Sequence, residues 1–451
     1  MNRSREHHSA PAWSPRRTGY RRLTAGWQHT GRPADLREHY DRYGPLPAVR
    51  QQSPRALVDA IAAARLTGRG GAGFPTATKM RAVATRRGPA VVVANGVESE
   101  PASQKDQALL AWAPHLVLDG ALLAARAVGA NVIHVCLDRT RDRQADEVLR
   151  AITEREQAGL GAVAMLVHGL PPRYVASEET SLIRWLNGGE ARPTTVPPRP
   201  FEQGVGRRPT LVNNVETLAH IALIARYGPD WFRQAGHPDT PGTMLVTVGG
   251  AVGYPGIYEI EAGTRVGEVL AMCDGNVEGG ALLVGGYFGT WHAARDLAHL
   301  PLSAPGLRAA GASPGAGVIF VLPAGRCGLA ETARILRFLA GQVAQQCGPC
   351  MFGLPAVADD FTRLAEGRPD SEVLDRLDHR LGAITGRGAC RHPDGAVRMA
   401  ASALAVFASD ARAHAARRPC LGAHRRGSDA IRPPIPVSTA ATAPRPEGTW
   451  R

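Results

Sequence analysis

The stretch Thr67-Gly-Arg-Gly-Gly-Ala-Gly-Phe-Pro75 is a glycine-rich run that constrains the fold of the residues around it. It contains the pattern G-x-G-x-x-G at residues 68–73. In ordinary dinucleotide-binding folds this pattern follows a strand, whereas here the helical spacing of residues 54–66 precedes it. An ordinary dinucleotide loop is therefore disfavoured. Two interpretations remain: bare backbone that approaches a phosphate or a flat ring, or a flexible turn.

Helical and strand-like segments alternate on both sides of this run and predict an α/β layer domain over residues 33–240. Helical spacing covers 54–66, 115–128 and 145–156, and apolar strands cover 91–94, 132–136 and 163–167. From residue 242 short β-like runs with glycine turns predict a small β-rich domain over 241–325. Amphipathic segments at 332–343, 354–366, 371–381 and 396–416 then predict a four-helix domain over 326–418.

The formal net charge of +13 lies almost wholly at the two ends of the chain. Residues 1–32 carry +6, residues 411–451 carry +6, and the part between them carries +1. We therefore predict disordered basic tails over 1–32 and 419–451, and the folded part has no electrostatic reason to bind nucleic acid. No apolar run reaches membrane-spanning length, so we expect a cytoplasmic protein without an integral membrane segment.

Polar residues gather at three places where helices and strands are predicted to meet. Asn95-Gly-Val-Glu98-Ser-Glu100-Pro101 follows a strand, where α/β sheets place ligand-binding groups, although a solvated acidic loop is the alternative. Glu178-Glu179-Thr180 and Asn213-Asn214-Val215-Glu216-Thr217 mark two further boundaries. Paired Asn side chains suit a ring with alternating donors and acceptors, but they also cap helices.

Lysine and cysteine are each informative because of where they occur. The chain has only two lysines, Lys79 and Lys105, and both fall inside these motifs, where a compact ammonium could meet a phosphate. Seven cysteines are no disulfide framework in a chain of 451 residues and favour metal or redox use. Cys347-Gly-Pro-Cys350 allows a thiol–disulfide interpretation, but helical sequence precedes it. With the distant Cys390, the pair instead resembles an iron–sulfur ligand pattern.

Together these motifs resemble, in order, those of the 51-kDa flavoprotein subunits of respiratory complex I, a family whose pattern is matched over about residues 35–410. The resemblance implies an FMN-binding α/β layer domain, a small β-grasp-like SLBB domain and a C-terminal four-helix iron–sulfur domain. It also implies NADH dehydrogenase activity of the NADH:quinone or NADH:acceptor type. Hydride would pass from NADH to FMN, and electrons would pass to a [4Fe–4S] cluster and on to a quinone-linked complex or ferredoxin-like acceptor.

The resemblance implies particular site residues. Glu98 and Lys79 are expected to take part in catalysis, and Cys347, Cys350 and Cys390 to bind the cluster. The residues expected to bind the cofactor are Gly68, Arg69, Gly70, Gly71, Gly73, Phe74, Lys79, Asn95, Glu98, Glu100, Glu178, Glu179, Asn213, Asn214 and Thr217. Expected partners are NAD(P)H and a ferredoxin-like or other electron-transfer protein, through which the chain would lie at the periphery of a membrane.

The chain departs from the family pattern at both ends of the electron path. The first cluster cysteine of the family motif is Ala344 here, which leaves His392 or Cys327 as candidate fourth ligands. On the nucleotide side, the family Asp is Val97, and two of the adenine-stacking aromatic positions are Ala82 and Arg199. Two alternatives to NADH oxidation therefore remain: an electron-transfer or docking module without nucleotide oxidation, and a thiol–disulfide oxidoreductase.

Overall fold

The computed structural model describes residues 21–25, 27, 32–46, 53–276, 280–423 and 432–436. The first part of the chain is built around a four-stranded, fully parallel sheet. Its strands in spatial order are Ala164–Leu170, Ala130–Asp138, Ala90–Gly96 and Thr210–Asn214. The predicted α/β layer with a parallel sheet is confirmed.

Helices surround this sheet because parallel strands need crossover connections that return the chain to the same edge. The helices of this part are Leu36–Tyr43, Pro54–Ala63, Thr76–Ala84, Lys105–Trp112, Pro114–Val128, Asp142–Gln157, Glu179–Leu186 and Val215–Arg233. Pro114–Val128 packs along Val215–Arg233, and a Cβ at Gly120 would lie 1.8 Å from the carbonyl oxygen of Leu218. Only glycine permits that close crossing.

The order of strands reverses beside Ala90–Gly96. The chain runs from this strand to two neighbours on one side and then returns to place Thr210–Asn214 on the other side. In open α/β sheets, ligands bind at the carboxyl ends of strands at such a reversal. The fold therefore points to the ends of these two strands as the place for a ligand.

A second, five-stranded sheet forms the next part of the chain. Its spatial order is Thr290–Ala293, Ala281–Val284, Val318–Val321, Thr243–Gly250 and Gly256–Glu261. Val318–Val321 runs parallel to Thr243–Gly250, and the other pairs in the sheet are antiparallel. Short helices pack with it at Val266–Met272, Ala294–Leu297 and Ala304–Arg308, and a small hairpin at Gly236–His237 and Thr240–Pro241 precedes it.

The C-terminal part is helical, as the sequence predicts. Its elements are Gly328–Gly341, a π-helical turn Pro349–Gly353, Leu354–Ala365, Val373–Ile384, His392–Val406 and Ala408–Ala415. The single helix predicted over 396–416 is wrong, because the chain leaves helical geometry at Phe407. Four predicted helices are therefore five, and their shared apolar core includes Phe361, Leu377 and Met399.

Both predicted tails contain packed residues, which corrects the expectation of disorder throughout 1–32 and 419–451. Leu23 and Trp27 are buried in the core of the first part, and the backbone N–H groups of residues 22–24 bond to the carboxylate of Glu259. Arg432 forms an ion pair with Glu331 at 2.9 Å. Residues 1–20, 26, 28–31, 424–431 and 437–451 of the predicted tails lie outside the described part of the chain.

Within the described residues, no single helix is long and apolar enough to cross a membrane. The pair Lys105–Trp112 and Pro114–Val128 passes that test together only by length and composition, with a 97° bend between its members. Nearly every residue of Pro114–Val128 is buried against the protein.

Candidate functional site

The glycine-rich run forms a closed loop. Thr67 and Pro75 pair across its base, and the N–H of Gly68 donates to the carbonyl of Phe74 at 2.9 Å. The backbone N–H groups of residues 70–73 make no hydrogen bond to any other described residue, and these four residues are exposed. Free backbone donors on exposed glycines suit an anionic or flat ligand.

The loop lies close against two other segments, and this requires glycine at two positions. A Cβ added at Gly70 would lie 3.3 Å from the Cβ of Asn214. Gly71 has a φ of +105° and lies beside the backbone of Gly315 in the second sheet's domain. The loop therefore lies directly over the carboxyl end of Thr210–Asn214.

Arg69 and Thr217 fix the orientation of the loop. The backbone N–H of Arg69 donates to the hydroxyl of Thr217 at 2.9 Å. The Arg69 side chain turns away and donates to the carbonyl of Thr243 at 3.1 Å. Both residues were predicted to bind cofactor, and both join the loop to the helix and strand beneath it.

Lys79 and Glu179 form an ion pair at the side of the loop. Lys79 lies on Thr76–Ala84, which begins directly after the loop, and its Nζ lies 2.8 Å from Oε2 of Glu179. About a quarter of each side chain is exposed. The ammonium is therefore accessible to an incoming anion.

Three asparagines meet at the carboxyl end of the sheet. Asn95 lies in register with Asn214 on the neighbouring strand. Asn214 caps Val215–Arg233 by accepting the N–H of Glu216, while Asn95 donates to the carbonyl of Ser177 at 2.9 Å. The Nδ2 atom of Asn213 is buried and finds no hydrogen-bond partner among the described residues.

Glu98 holds the loop that follows the first strand. Its carboxylate accepts from the N–H groups of Asp106 and Gln107 and from the hydroxyl of Ser103, at 3.0, 2.9 and 2.6 Å. Its φ of 42° lies in the left-handed region, which is uncommon for a residue other than glycine. The carboxylate predicted to be catalytic is thus already occupied by three donors of its own chain.

Glu100 faces the second sheet. It accepts from the hydroxyl of Tyr174 at 2.6 Å and from the N–H groups of Tyr287 and Ala102 at 2.8 and 3.1 Å. Burial raises the pKa of Glu100 to about 7, although these three hydrogen bonds act in the opposite direction. The residue joins the first part of the chain to the second sheet.

Lys105 lies at the centre of a buried charge network beneath the loop. Its Nζ lies 2.7 Å from Asp106 and 2.8 Å from Glu216. Although burial disfavours charge, the neighbouring Lys105 ammonium lowers the pKa of Glu216 to about 2. Asp106 accepts from the Asn214 amide at 2.6 Å. The network therefore fixes the asparagine that touches Gly70.

Cys347, Cys350 and Cys390 come together, as predicted, although forty residues separate the last two. Burial raises the pKa of Cys350 to about 12, and the neighbouring thiols of Cys347 and Cys390 also act to raise it. The pair Cys347–Cys350 precedes the helix Leu354–Ala365, also as predicted. Three converging thiols suit an iron–sulfur cluster.

The candidate fourth ligands lie in different places. Ala344, at the position of the family's first cysteine, is buried, and its backbone lies close enough to Cys350 to act against the burial that raises the pKa of that thiol. His392 is buried with Nε2 2.9 Å from the carbonyl of Leu339, and its Nδ1 has no partner in the described structure. Cys327 is excluded, because the helix Gly328–Gly341, about 20 Å long, separates it from Cys347.

The segment 174–179 contacts both sites. At one end Glu179 pairs with Lys79, and Glu178 caps Glu179–Leu186 by accepting from the N–H groups of Thr180 and Ser181. Glu178 is also close enough to Cys390 to raise the pKa of that thiol, after the larger effect of burial. Tyr174, at the other end, packs edge-on against the ring of His392.

Sequence reasoning missed Tyr174 and Ser177 as connecting residues. The hydroxyls of Ser99 and Ser177 lie 2.5 Å apart, and Tyr174 links Glu100 to His392. Their only signal is position, because Ser177 directly precedes Glu178-Glu179-Thr180 and Tyr174 lies three residues before Ser177.

The residues that differ from the family pattern near the expected nucleotide site have different surroundings. Val97 is 1% exposed and packs in an apolar cluster with Val91 and Leu170. Arg199 is exposed, and its guanidinium makes no hydrogen bond or ion pair within the described residues. Its loop is held beside the end of Thr76–Ala84, which carries Ala82, by the ion pair between Arg86 and Glu202.

The residues present fit both implied groups. For FMN, the observations are the four free backbone N–H groups, the close approach of the loop glycines to Asn214 and Gly315, and the unpartnered amide of Asn213. For a [4Fe–4S] cluster, they are the three converging thiols and the Nδ1 of His392, which has no partner among the described residues.

Two family models match the parts of the chain that carry these two groups of residues. Residues 61–223 match the Nuo51 FMN-binding domain, which includes the loop, both lysines and the three asparagines. Residues 330–414 match the NADH-ubiquinone oxidoreductase-F iron-sulfur binding region, which includes the three converging cysteines.

Known proteins resemble the chain over most of its length. The F subunit of the NADH-quinone oxidoreductase of Salmonella typhimurium is 32% identical over 382 residues, which cover 81% of this chain and 85% of the relative. Its F 2 counterpart in Rhizobium meliloti is 29% identical over 387 residues, covering 83% and 92%. The crystal structure of an air-oxidised NAD⁺-reducing [NiFe]-hydrogenase superposes with a TM-score of 0.78 at 31% identity, over 88% of this chain and 67% of that one. The chain therefore belongs to the family of NADH-quinone oxidoreductase F subunits, the 51-kDa flavoprotein subunits of complex I, which are NADH dehydrogenases with FMN and a [4Fe–4S] cluster.

Proposed function

We propose that this chain oxidises NADH at an FMN held over the carboxyl end of the parallel sheet and passes the electrons to a [4Fe–4S] cluster at Cys347, Cys350 and Cys390. One observation carries the proposal. The short segment 174–179 contacts the loop side through Glu179, which pairs with Lys79, and the cysteine side through Tyr174, whose ring packs edge-on against His392, two residues from Cys390. The two sites are therefore neighbours on one short connection, which suits electron transfer between them.

The loop and the residues around it bind different parts of the cofactor in this proposal. The free N–H groups of residues 70–73 and the Lys79 ammonium bind anionic or acceptor atoms of the cofactor, and the Asn213 amide is a donor for its ring. FMN supplies the chemistry that accepts a hydride and releases electrons singly. Glu98 acts indirectly, because its three hydrogen bonds hold the loop after Asn95 in place.

His392 is the fourth cluster ligand in this proposal. Its Nε2 contacts the Leu339 carbonyl, which makes Nε2 the protonated nitrogen and leaves Nδ1 with a lone pair. The backbone of His392 lies close enough to Cys390 to act against the burial that raises the pKa of that thiol. The residue is thus adjacent to one thiol ligand and carries a free nitrogen donor, and imidazole replaces thiolate in some iron–sulfur sites.

The division of the chain into domains follows the same family pattern. The five-stranded sheet has the spatial order 4-3-5-1-2 in its own strand numbering, with its first and last strands parallel neighbours. This order supports a β-grasp-like SLBB domain over 241–325. The α/β domain then covers 33–240, and the iron–sulfur domain covers 326–418.

An electron-transfer protein of the ferredoxin-like class is the partner that we infer. Met351 and Phe352 follow Cys350 directly and are 49% and 71% exposed. Two exposed apolar side chains beside a redox site suit a docking surface that brings a second centre close. Through such a partner the chain would lie in the cytoplasm at the periphery of a membrane complex.

A second candidate function is electron transfer without oxidation of a pyridine nucleotide. Val97 favours it, because a buried valine replaces the family Asp and offers no polar atom to a nicotinamide. Both sites would then remain, but NADH would not be the donor.

An anaerobic visible spectrum of the purified protein tests the proposal. We expect a flavin band with a broad iron–sulfur shoulder, bleached by NADH. The same bands without bleaching would support the second candidate. A colourless protein that reduces disulfides would contradict both and support the thiol–disulfide alternative.

A further inference from the structure

Cys327, His414 and Cys420 form a compact cluster at a distance from the iron–sulfur cysteines. Among the residues that the structure describes, their ligand atoms all lie within 4.8 Å of one another. The Sγ of Cys327 lies 3.9 Å from Nε2 of His414. Cys327 and His414 are buried, and Cys420 is partly buried. The three residues come from separate parts of the helical region.

The orientation of His414 directs a lone pair at the two sulfurs. Its Nδ1 lies 3.1 Å from the carbonyl of Leu364, so Nδ1 carries the proton and donates it. Nε2 then accepts the N–H of Cys420 at 2.9 Å and faces both thiols. Metal-binding histidines are oriented in this way, with the second ring nitrogen donating to a backbone carbonyl.

We propose that Cys327, His414 and Cys420 bind a zinc ion that fastens the C-terminal segment to the helical domain. Two sulfurs and one imidazole nitrogen are a donor set that zinc prefers. Tetrahedral zinc places a sulfur and a nitrogen ligand about 3.6 Å apart, close to the 3.9 Å observed here.

The chemistry of binding balances without any redox partner. The two thiols lose their protons to solvent, the two thiolates and the imidazole nitrogen bond to Zn²⁺, and a solvent water fills the fourth tetrahedral position. Two protons are released in total. The hydrogen bond from the Cys420 N–H to Nε2 of His414 is lost when Nε2 bonds to the metal.

The three metal ligands, together with the Leu364 carbonyl that orients His414, come from four segments of the helical region. Cys327 directly precedes Gly328–Gly341, His414 lies on Ala408–Ala415, and Leu364 lies near the end of Leu354–Ala365. Cys420 belongs to the segment beyond the last long helix. A Cβ at Gly422 would lie 2.7 Å from the N atom of Cys327, so this segment lies directly on the start of the helix.

Element-specific measurements on the full chain test the site. The protein is produced with zinc sulfate and iron in the medium, and zinc and iron are counted per chain. We expect about one zinc in the parent. Cys327→Ser, Cys420→Ser and His414→Ala should each lose it while keeping iron and flavin. X-ray absorption at the zinc edge should show two sulfur ligands at about 2.3 Å and a histidine nitrogen at about 2.0 Å.

Two control variants separate this site from other cysteines. Cys273→Ser removes a buried thiol of the second sheet's core and should keep zinc. Cys350→Ser should lose iron but keep zinc, which shows that zinc does not occupy the cluster site. The proposal is overturned if the parent holds no zinc, if zinc is lost in Cys350→Ser but not in Cys420→Ser, or if peptide mapping finds a Cys327–Cys420 disulfide.

Discussion

The Nζ of Lys79 lies 2.8 Å from Oε2 of Glu179, across the side of the glycine-rich loop. Lys79 belongs to the helix that follows this loop, and Glu179 is the first residue of the helix that follows the segment near Cys390. The pair therefore joins the glycine-rich loop to the side of the molecule that carries the cluster cysteines. Because it is partly exposed, an anionic ligand can compete with Glu179 for the ammonium.

Removal of this ammonium should weaken ligand binding far more than it weakens the fold. For Lys79→Ala we expect FMN or nucleotide affinity to fall by about 1.5–3 kcal/mol, the usual size of a charge-assisted hydrogen bond. Stability should change by only about 1 kcal/mol or less, because the pair is partly exposed. Fluorescence titration of the flavin-free protein measures the affinity. Arg81 lies on the same helix as Lys79 and forms an exposed ion pair with Asp59 of the helix Pro54–Ala63, so Arg81→Ala should leave binding unchanged.

Gly70 should not tolerate a larger side chain. A Cβ there already lies 3.3 Å from Asn214, and the two extra methyl groups of Gly70→Val would push the loop off the end of the sheet. We expect the purified variant to retain no FMN. Gly382→Ala, where a Cβ meets nothing within 4 Å, is the control. Stoichiometric FMN in Gly70→Val would remove the site from this loop.

Restoring the family cysteine should strengthen the cluster. Ala344 is buried three residues before Cys347, and its backbone lies close enough to Cys350 to affect the pKa of that thiol, so Ala344→Cys adds a thiol beside the other three. We expect slower loss of iron to a chelator in this variant. Cys390→Ser should lose iron, whereas Cys136→Ser should keep it. If His392→Ala loses iron in the parent but not in Ala344→Cys, His392 is the fourth ligand; equal loss would contradict that assignment.

Arg199 should shift the choice between NADH and NADPH. An aromatic face contributes roughly 1–3 kcal/mol of stacking to a base, and the exposed Arg199 replaces one such face with a cation that can bind a 2′-phosphate. For Arg199→Phe we expect about tenfold tighter NADH binding, about 1.4 kcal/mol, with a stronger preference over NADPH. Anaerobic flavin reduction with each nucleotide measures both.

Val97→Asp, which introduces the family residue at a second position that departs from the family pattern, is compared with Arg199→Phe for its effect on nucleotide affinity. Because Val97 is buried in an apolar cluster, the new carboxylate should destabilise the fold instead of restoring nucleotide affinity. A strong NADH preference that Arg199→Phe does not alter would show that Arg199 does not face the nucleotide.

Glu100 should make stability fall as pH rises. Burial raises its pKa to about 7 from an ordinary value of 4.5, so between these values the folded chain holds a proton that the unfolded chain has released. Stability from this group is complete below about pH 4.5 and is lost as pH rises through about 7. Between pH 5 and 8, the free energy of unfolding of the parent should fall by up to roughly 3 kcal/mol relative to that of Glu100→Gln. Thermal unfolding of both proteins at a series of pH values measures this difference. Parallel pH profiles for the two proteins would contradict this.

The linear sequence determined the order of motifs and the α/β class of the first part, and the family resemblance that its motifs carry predicted the convergence of Cys347, Cys350 and Cys390. These depend on local patterns: strand and helix periodicity, glycine spacing, and short cysteine pairs whose chemistry needs further thiols. Residue type alone also indicated that Lys79 and Lys105 lie in functional motifs.

Only the tertiary structure decided what each polar group does. Glu98 and Glu100 look alike in the sequence, yet Glu98 caps a helix and Glu100 joins the first part of the chain to the second sheet, because hydrogen-bond partners come from segments far apart in the chain. The same reason separates Lys105, buried between two carboxylates, from the accessible Lys79. Cys327 likewise could be excluded from the iron site and placed beside Cys420 only once the helices were packed, since burial and partner choice are properties of long-range contacts.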